Sequence, residues 1–368
     1  MPSTPNASAP FRENEGEPPG DSPMTGVDRN RSLSVAVFGA GVFGRNHLRV
    51  YRQLEQSGFG VRLAAVADTD PTAAEMLRQQ EDLPVFRSPG ECLQACRAGK
   101  LHLDAVSICV PTSAHYAVAS QALAHGLDIL LEKPIAVTLA EADALVGQAA
   151  AAGRILQVGL LERFNPAVTA AEPLVNGPMF FEAHRLSVFN RRALDVDVVL
   201  DLMIHDLDIV LSFARSPVRQ LHAVGLSILS PKVDIANVRV EFASGCVANF
   251  TASRVSTETV RKLRFFQPHQ YISIDYARQD LLLINVDKNA SLDPEGSPPN
   301  PGLAFSKPAI KTDEPLRLEI LAFLHSVRSR TPPQVDAQEG RDALALALEI
   351  NREIVAHASR AGLDRFSF

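Results

Sequence analysis

A glycine-rich turn between a short apolar strand and a helix constrains this chain more than any other feature of its sequence. The run Leu33–Phe38 is apolar with β-branched residues, which is typical of a strand buried on both faces of a parallel sheet. The turn that follows has the pattern GxGxxG and consists of Gly39, Ala40, Gly41, Val42, Phe43 and Gly44. These glycines allow a tight turn, a close approach of the backbone to a pyrophosphate, and close packing of the next helix. The sequence therefore predicts a dinucleotide-binding unit.

An acidic residue after the second predicted strand indicates which dinucleotide binds. Residues 61–67 form an apolar run that ends at Asp68, where a carboxylate can accept hydrogen bonds from ribose hydroxyls. Thr69 and Asp70 follow, and no arginine stands beside them. Because a 2′-phosphate would meet negative charge here, we expect NAD rather than NADP.

Composition bounds the remaining possibilities. A length of 368 residues suggests more than one domain. The net charge of −6 and the lack of a Lys/Arg block exclude a general attraction to nucleic acid. No uncharged apolar run approaches the roughly 20 residues that a membrane span needs. Cys92, Cys96, Cys109 and Cys246 lack paired CxxC spacing, so we interpret them as reduced thiols of a cytoplasmic protein and expect no metal site.

The chain divides into three segments of different texture. Residues 1–31 are rich in proline and polar side chains and are predicted to be a disordered tail. Residues 32–160 alternate hydrophobic strands with helices, which predicts an α/β Rossmann domain with a doubly wound parallel sheet. Residues 161–368 alternate apolar and polar positions and end in helices, which predicts an α+β domain with an open antiparallel sheet. One face of that sheet would be free for a homodimer or homotetramer contact. The proline-rich segment 285–307 is expected to be a loop.

Two more loops are predicted at the carboxyl ends of the parallel strands, where ligands of such sheets bind. One contains Pro111 and Thr112 and leads into a helix that carries His115. The other is a turn of Glu132 and Lys133 before a proline. We expect these five residues to line the cofactor cleft with the glycine turn and Asp68. Lys133 is either a surface charge paired with Glu132 or a positive group near the reacting carbon.

A mostly buried helix in the second half carries a polar stripe. Asp201, His205, Asp208 and Ser212 follow helical spacing, and nearly all positions between them are apolar. Because an unpaired buried carboxylate or imidazole is costly, the stripe must face a polar cavity or a paired network. His205 is therefore either a core histidine capped by Asp201 or Asp208, or a proton-transfer group. Hydride transfer from an alcohol needs a proton acceptor and a positive donor for the oxyanion, and His205 and Lys133 would supply these roles.

These features together resemble the glucose-fructose oxidoreductase, inositol dehydrogenase and MocA family of sugar dehydrogenases. The resemblance rests on the glycine turn, the Glu132-Lys133-Pro turn, and Asp201 four residues before His205, and it covers roughly residues 33–358. It implies a Rossmann domain, then an open antiparallel sheet with substrate and oligomer contacts. It also implies catalytic roles for Lys133, Asp201 and His205. The paired glycines that often precede the helix are replaced here by residues 195–198, Asp-Val-Asp-Val.

A narrower resemblance rests on residues 157–166, QVGLLERFNP, and residues 262–268, KLRFFQP. These stretches resemble the branch that oxidises nucleotide-linked amino sugars such as UDP-N-acetylglucosamine. That branch implies a 3-keto product for later amination in lipid A synthesis. Arg163 and Asn165 have side chains suited to a diphosphate and a sugar, so we predict that they bind substrate. Their alternative role is a salt bridge and a helix cap.

Two other functions stay open at this point. One is a dehydrogenase of a free sugar or polyol such as inositol. The other is a non-catalytic protein that senses NAD. The presence of Lys133, Asp201 and His205 together favours an enzyme, because a sensor needs the fold and the cofactor but no proton relay.

Overall fold

Six parallel strands form the first sheet of the computed structural model, which describes residues 32–80, 82–189, 196–286 and 302–363. The predicted tail, residues 1–31, lies outside the described residues, and so does Asp195. The strands are β1 Leu33–Phe38, β2 Val61–Ala67, β3 Val85–Phe86, β4 Ala105–Ile108, β5 Asp128–Glu132 and β6 Leu156–Gly159. The sheet order is β3-β2-β1-β4-β5-β6, so the strand order reverses between β1 and β4. This confirms the predicted doubly wound sheet and places its ligand crevice at that reversal.

Five helices connect these strands. They are α1 Val42–Gln56, α2 Pro71–Gln80, α3 Pro89–Arg97, α4 Thr112–Ala124 and α5 Leu139–Ala152. Helix α5 shows how the sequence sets their ends: Thr138 and Glu141 form a capping box, and Gly153 ends the helix in the left-handed conformation. α1 and α4 both begin at the carboxyl edge of the sheet, so their N-terminal amides face the crevice.

An eight-stranded sheet forms the second layer, in the order β14-β13-β12-β11-β7-β10-β9-β8. Its strands are β7 Phe180–Val188, β8 Val218–Leu226, β9 Ile235–Phe242, β10 Val247–Ser256, β11 Val260–Gln267, β12 Gln270–Asp275, β13 Asp280–Val286 and β14 Leu303–Ser306. All neighbours are antiparallel except β7 and β10, which are parallel. The exception arises because a helix connects β7 to β8, which lets β8 run in the same direction as β7, and two reversals then bring β10 beside β7.

The structure corrects two details of the predicted second sheet. The alternation of apolar and polar residues that predicts the sheet runs through 262–276 as one stretch, whereas the structure has two strands there, β11 and β12, joined at Pro268 and His269. The left-handed backbone of His269, with φ of 61°, makes that reversal. The segment 285–307 is not wholly a loop, because β14 pairs with β13 at its end. A strand this short gives little periodicity, and the intervening residues 287–301 lie outside the described part.

The remaining helices pack on one face of the second sheet or, in the case of α8, on the first layer. They are α6 Pro166–Ala171, α7 Ile204–Ala214, α8 Pro315–Ser329 and α9 Ala337–Ala361. α7 and α9 pack on the sheet through Leu207, Val210 and Ile350. α8 instead packs on the first layer, where Ile320 and Phe323 join the core of β1 and α1. Within the described residues, no helix combines the length and apolar character needed to cross a membrane.

Candidate active site

The glycine turn has the space and the free amides that a dinucleotide pyrophosphate needs. Gly39 has φ of 87°, and a Cβ there would lie 2.6 Å from the carbonyl oxygen of Cys109. A Cβ on Gly44 would lie 1.9 Å from the carbonyl oxygen of Gly39, so the helix packs against the turn only because both are glycine. Around Gly41 the space is open: apart from its own stretch of backbone, no atom of the described residues lies within 4 Å of the position that a Cβ would take. α1 begins there with no side-chain cap and no acidic residue in its first turn, which leaves its amides free for an anion.

Asp68 stands beside this turn, where the sequence predicts the ribose to bind. One carboxylate oxygen accepts a hydrogen bond from the Ala40 amide, and the other accepts one from the Asp70 amide at 2.8 Å. These bonds hold the carboxylate at the rim of a cleft of about 610 Å³, whose lining includes the glycine turn, Thr69 and Pro111. The cleft and the acid fit the adenosine half of NAD. The side chains of Val42 and Phe43 are exposed at the start of α1.

The side chain of His115 contacts the backbone of both predicted loops. Its Nδ1 lies 2.8 Å from the carbonyl oxygen of Pro134, and its Nε2 lies 2.9 Å from that of Val110. The ring is 1% exposed, and burial lowers its pKa. A neutral imidazole has one N–H, so the ring donates to one of these carbonyl oxygens and only faces the other. Buried between the two loops, His115 would set their spacing rather than contact the cofactor. Thr112 is the first residue of α4, the helix that also carries His115.

Glu132 is buried and contacts a histidine of α1. It lies 2.9 Å from His47 Nε2, and both side chains are buried. The side-chain ligand atoms of His47, Glu132 and Cys109 lie within 4.8 Å of one another, a spacing compatible with a metal ion. The His47–Glu132 hydrogen bond accounts for these groups without one, and the absence of a metal stays a prediction. Since Glu132 pairs with His47, the interpretation of Lys133 as its ion-pair partner is wrong.

A second buried acid accompanies this pair. Glu319 on α8 has no accessible surface, and neither of its carboxyl oxygens has a hydrogen-bond partner among the described residues. Burial and then the charge of Glu132 raise the pKa of Glu319 well above its ordinary value. Burial thus favours the protonated form of Glu319, an acid next to Glu132 that the sequence pattern did not reveal.

Lys133 joins the end of β5 to the segment before α7. Its Nζ donates to the Asp201 carbonyl oxygen at 2.7 Å and to the Asp201 carboxylate at 3.3 Å. The peptide bond from Lys133 to Pro134 is cis. Asp201 lies in a wider π-helical turn, Val199–Met203, rather than in the regular α-helix that the spacing predicted. The wider turn directs Asp201 toward the lysine, so the crevice of the first sheet and the helix of the second share one site.

His205 lies next to this pair with a neutral imidazole. It is 8% exposed, and its Nδ1 is buried without a hydrogen-bond partner among the described residues. Burial lowers its pKa well below the ordinary value, and the positive charges of Lys133, Arg185 and Arg261 lower it further. A neutral imidazole can accept a proton from a substrate hydroxyl. Neither Asp201 nor Asp208 bonds to its ring, so the structure does not show the capped core histidine that the sequence left open.

Arg185 is a residue that the sequence analysis missed, and it fixes the helix that carries His205. Its guanidinium donates to both Asp206 carboxylate oxygens, at 2.7 and 2.9 Å, and to Glu162 at 2.9 Å. The guanidinium also lies 5.1 Å from the centre of the Tyr276 ring. These side chains are all buried. The signal was present in the alternation of β7, where Arg185 occupies an inward position in line with the buried core residues.

Arg163 and Asn165 take their alternative roles, and the prediction that they bind substrate is corrected. Arg163 pairs with Asp208 at 3.1 Å and also with Glu339, and only 7% of its side chain is exposed. Asn165 caps α6 by accepting the Ala167 amide at 3.1 Å and is 2% exposed. Their hydrogen-bonding groups are occupied, because a buried charge or amide must find partners within the protein. They build the wall of the site, and the Arg163 guanidinium is taken up by its two carboxylate partners rather than offered to a diphosphate.

The turn, the acid at the ribose position and the lysine-histidine pair define an NAD-binding oxidoreductase with a Rossmann fold. The chain belongs to the Gfo/Idh/MocA oxidoreductase family: residues 33–160 match the NAD-binding Rossmann domain of that family, and residues 175–267 match its C-terminal domain. It is an NAD-dependent dehydrogenase, and NAD is its cofactor.

Comparisons with three proteins describe what the chain is similar to. It is 32% identical over 329 residues to UDP-N-acetylglucosamine 3-dehydrogenase of Acidithiobacillus ferrooxidans, covering 89% of this chain and 99% of that protein. A solved structure of that enzyme superposes with a TM-score of 0.78, covering 88% of this chain and 98% of that one. The scyllo-inositol 2-dehydrogenase of Bacillus subtilis is 27% identical over 61% of this chain and 68% of its own length. An Agrobacterium radiobacter oxidoreductase solved with NAD+, 17% identical, shares the fold with a TM-score of 0.74 over 88% of this chain and 96% of that one.

Proposed function

We propose that this chain oxidises the C3 hydroxyl of UDP-N-acetylglucosamine or a closely related nucleotide-linked amino sugar. The observation that carries the proposal is the placement of Lys133 and His205 together at the carboxyl edge of the NAD-binding sheet. The similarity to a UDP-N-acetylglucosamine 3-dehydrogenase over 99% of that relative supports this substrate class. The similarity to inositol dehydrogenases covers less of each chain, so a free polyol is the weaker candidate.

The proposed residues divide the work of the reaction. A hydride leaves C3 and a proton leaves its hydroxyl, which gives a ketone, NADH and a proton; NAD supplies the hydride acceptor when bound. His205, whose lowered pKa leaves its imidazole uncharged at neutral pH, accepts the hydroxyl proton. Lys133 presents a positive N–H donor to the oxygen on which negative charge develops. Asp201 holds Lys133 in place through its carbonyl and carboxylate oxygens.

The proposed 3-keto product indicates the kind of reaction that follows. A 3-keto amino sugar is a substrate for amination, and we propose a role in lipid A synthesis in the cytoplasm.

The outer face of the second sheet carries an apolar row formed by Phe180, Phe266, Tyr271, Ile284 and Phe305, which pair across neighbouring strands. We propose that a second copy of the chain covers this row, since Phe305 alone is 60% exposed. Light scattering on the purified protein tests the assembly.

Turnover of candidate substrates tests the proposed function directly. The full chain is incubated with NAD and with UDP-N-acetylglucosamine, free N-acetylglucosamine or myo-inositol, while an aminotransferase with its amino donor removes the ketone. Formation of NADH only with the UDP-sugar supports the proposal. The variant His205→Gln gives the background rate. Turnover of myo-inositol without turnover of the UDP-sugar would replace this proposal with a polyol dehydrogenase.

A further inference from the structure

Arg261 stands out on β11 because it breaks the burial pattern of its own face. Leu263, Phe265 and Gln267 alternate along the strand, are buried, and face the layer of helices. Arg261 belongs to the same alternating series, yet it is exposed. It lies at the start of the strand, one residue after Val260. Its side chain therefore belongs to the inner face at a point that solvent or a ligand can reach.

The pairing of the strands puts Arg261 beside the catalytic helix. Arg261 lies directly opposite Arg185 of β7 in the antiparallel register. Side chains directly opposite each other in such a pair lie on the same face of the sheet. The Arg185 guanidinium bonds to Asp206, the chain neighbour of His205. Arg261 consequently projects from the same face toward the mouth of the site that holds His205.

Among the described residues, the acids near Arg261 are already paired with other cations. Arg185 occupies the carboxylates of Asp206 and Glu162, and Lys133 occupies that of Asp201. Throughout the described ranges, no hydrogen bond or ion pair involves the Arg261 guanidinium. Its positive charge nevertheless reaches the imidazole of His205.

The neighbouring cations on β11 provide a contrast. Lys262 lies 3.7 Å from Asp275, and Arg264 lies 3.9 Å from Glu182, so each has an acidic partner within the sheet. Arg264 occupies the alternate series of the strand and faces away from the helices. Arg261 is thus the cation of this strand that has no ion-pair partner in the described part of the chain and belongs to the face turned toward the site.

We propose that Arg261 binds the diphosphate of the nucleotide-linked substrate and so selects it over a free sugar. The proposal rests on the proposed function. A planar guanidinium with an open fork of N–H donors suits the paired oxygens of a phosphate group. Arg261 takes the role that Arg163, with its buried partners, does not have. The sugar ring would extend from Arg261 toward His205 and Lys133.

Substitution of Arg261, matched with substitution of Arg264, tests the proposal. We expect Arg261→Gln to raise KM for UDP-N-acetylglucosamine by about 10- to 100-fold, the range for loss of a charge-assisted hydrogen bond, with kcat changed by less than about 3-fold. Calorimetry should show the same loss for UDP alone and an unchanged Kd for NAD. Arg261→Lys should recover part of the affinity, while Arg264→Gln should match the unmodified protein.

Each contrary result has a separate meaning. Equal KM and UDP affinity in Arg261→Gln and the unmodified protein would overturn the role of Arg261, while turnover of the UDP-sugar would leave the proposed function intact. A lower kcat with unchanged KM would also overturn it. If the unmodified protein binds UDP but does not oxidise the UDP-sugar, the proposed function fails and the UDP arm still decides on Arg261. If it binds neither compound, both proposals fail.

Discussion

Replacing Lys133 with methionine removes the positive charge of the site and keeps much of the side-chain length. A lysine has three N–H donors, and two of the Lys133 contacts go to the carbonyl and carboxylate oxygens of Asp201. One donor is left for the substrate oxygen. Loss of a single donor to a developing oxyanion typically lowers kcat by about 10²- to 10³-fold, and we expect Lys133→Met to fall in this range. The fold should survive, because Asp201 is 31% exposed and can be solvated.

The same substitution should move the pH profile in a defined direction. The base His205 works only when neutral, so activity is lost as the pH falls through its pKa. Burial and the charge of Lys133 both lower that pKa from an ordinary 6.5, so the acid limb of kcat/KM should lie below pH 6.5 in the unmodified enzyme. Removing the Lys133 charge raises the pKa of His205. The acid limb of Lys133→Met should therefore shift to higher pH.

Steady-state rates of NADH formation across pH give both quantities in one experiment. Asp201→Asn is the matched control, since it keeps the carbonyl contact at 2.7 Å and loses only the carboxylate charge, so its kcat should fall less. Calorimetry should show NAD affinity unchanged in both variants. A Lys133→Met enzyme with near-normal kcat, or with an acid limb at lower pH, would refute the assignment of Lys133 as the positive donor next to His205.

Three further substitutions have expected outcomes. His205→Gln should lower kcat by about 10²- to 10⁴-fold in rate assays with unchanged NAD affinity; normal turnover would make His205 a structural residue. Asp68→Ala should weaken NAD binding by about 1–3 kcal/mol in calorimetry and reduce the preference for NAD over NADP. Equal affinities of the unmodified protein for NAD and NADP would contradict the role of Asp68. Arg185→Met should lower the free energy of unfolding by about 3–5 kcal/mol in denaturant titration, because Asp206 and Glu162 lose their buried partner; an unchanged value would show that these acids are protonated or solvated.

Local pattern was sufficient to predict the first layer of the fold except β3, whose two residues are too few to show a pattern. The longer parallel strands are short apolar runs. The glycine turn identifies β1 as the strand next to the cofactor, because Gly39 and Gly44 leave no room for a side chain between the turn and α1. The second layer was harder to predict in detail. Strand β14 is too short to show a period, and the parallel pairing of β7 with β10 depends on a connection through a helix rather than on either strand.

The site divides between residues whose roles follow from position and residues whose roles follow from partners. Lys133 and His205 are placed by a strand end and a helix, so spacing indicated them. The burial of Arg163 could not be predicted from its neighbours in sequence, because its partner Glu339 is far away in the chain. The same reason hid the pair of Arg185 and Asp206. Sequence spacing shows which face a side chain takes but not which distant group it meets.

Transfer of a label from the sugar to the cofactor tests the central claim most directly. UDP-N-acetylglucosamine carrying deuterium at C3 is incubated with the full chain and NAD, and the nicotinamide product is analysed by mass spectrometry and NMR. The account predicts NADH with deuterium at C4 of the nicotinamide ring, and unlabelled NADH when the deuterium is placed at C4 of the sugar instead. NADH without deuterium from the C3-labelled substrate, or no NADH at all, would contradict oxidation at C3 by this site.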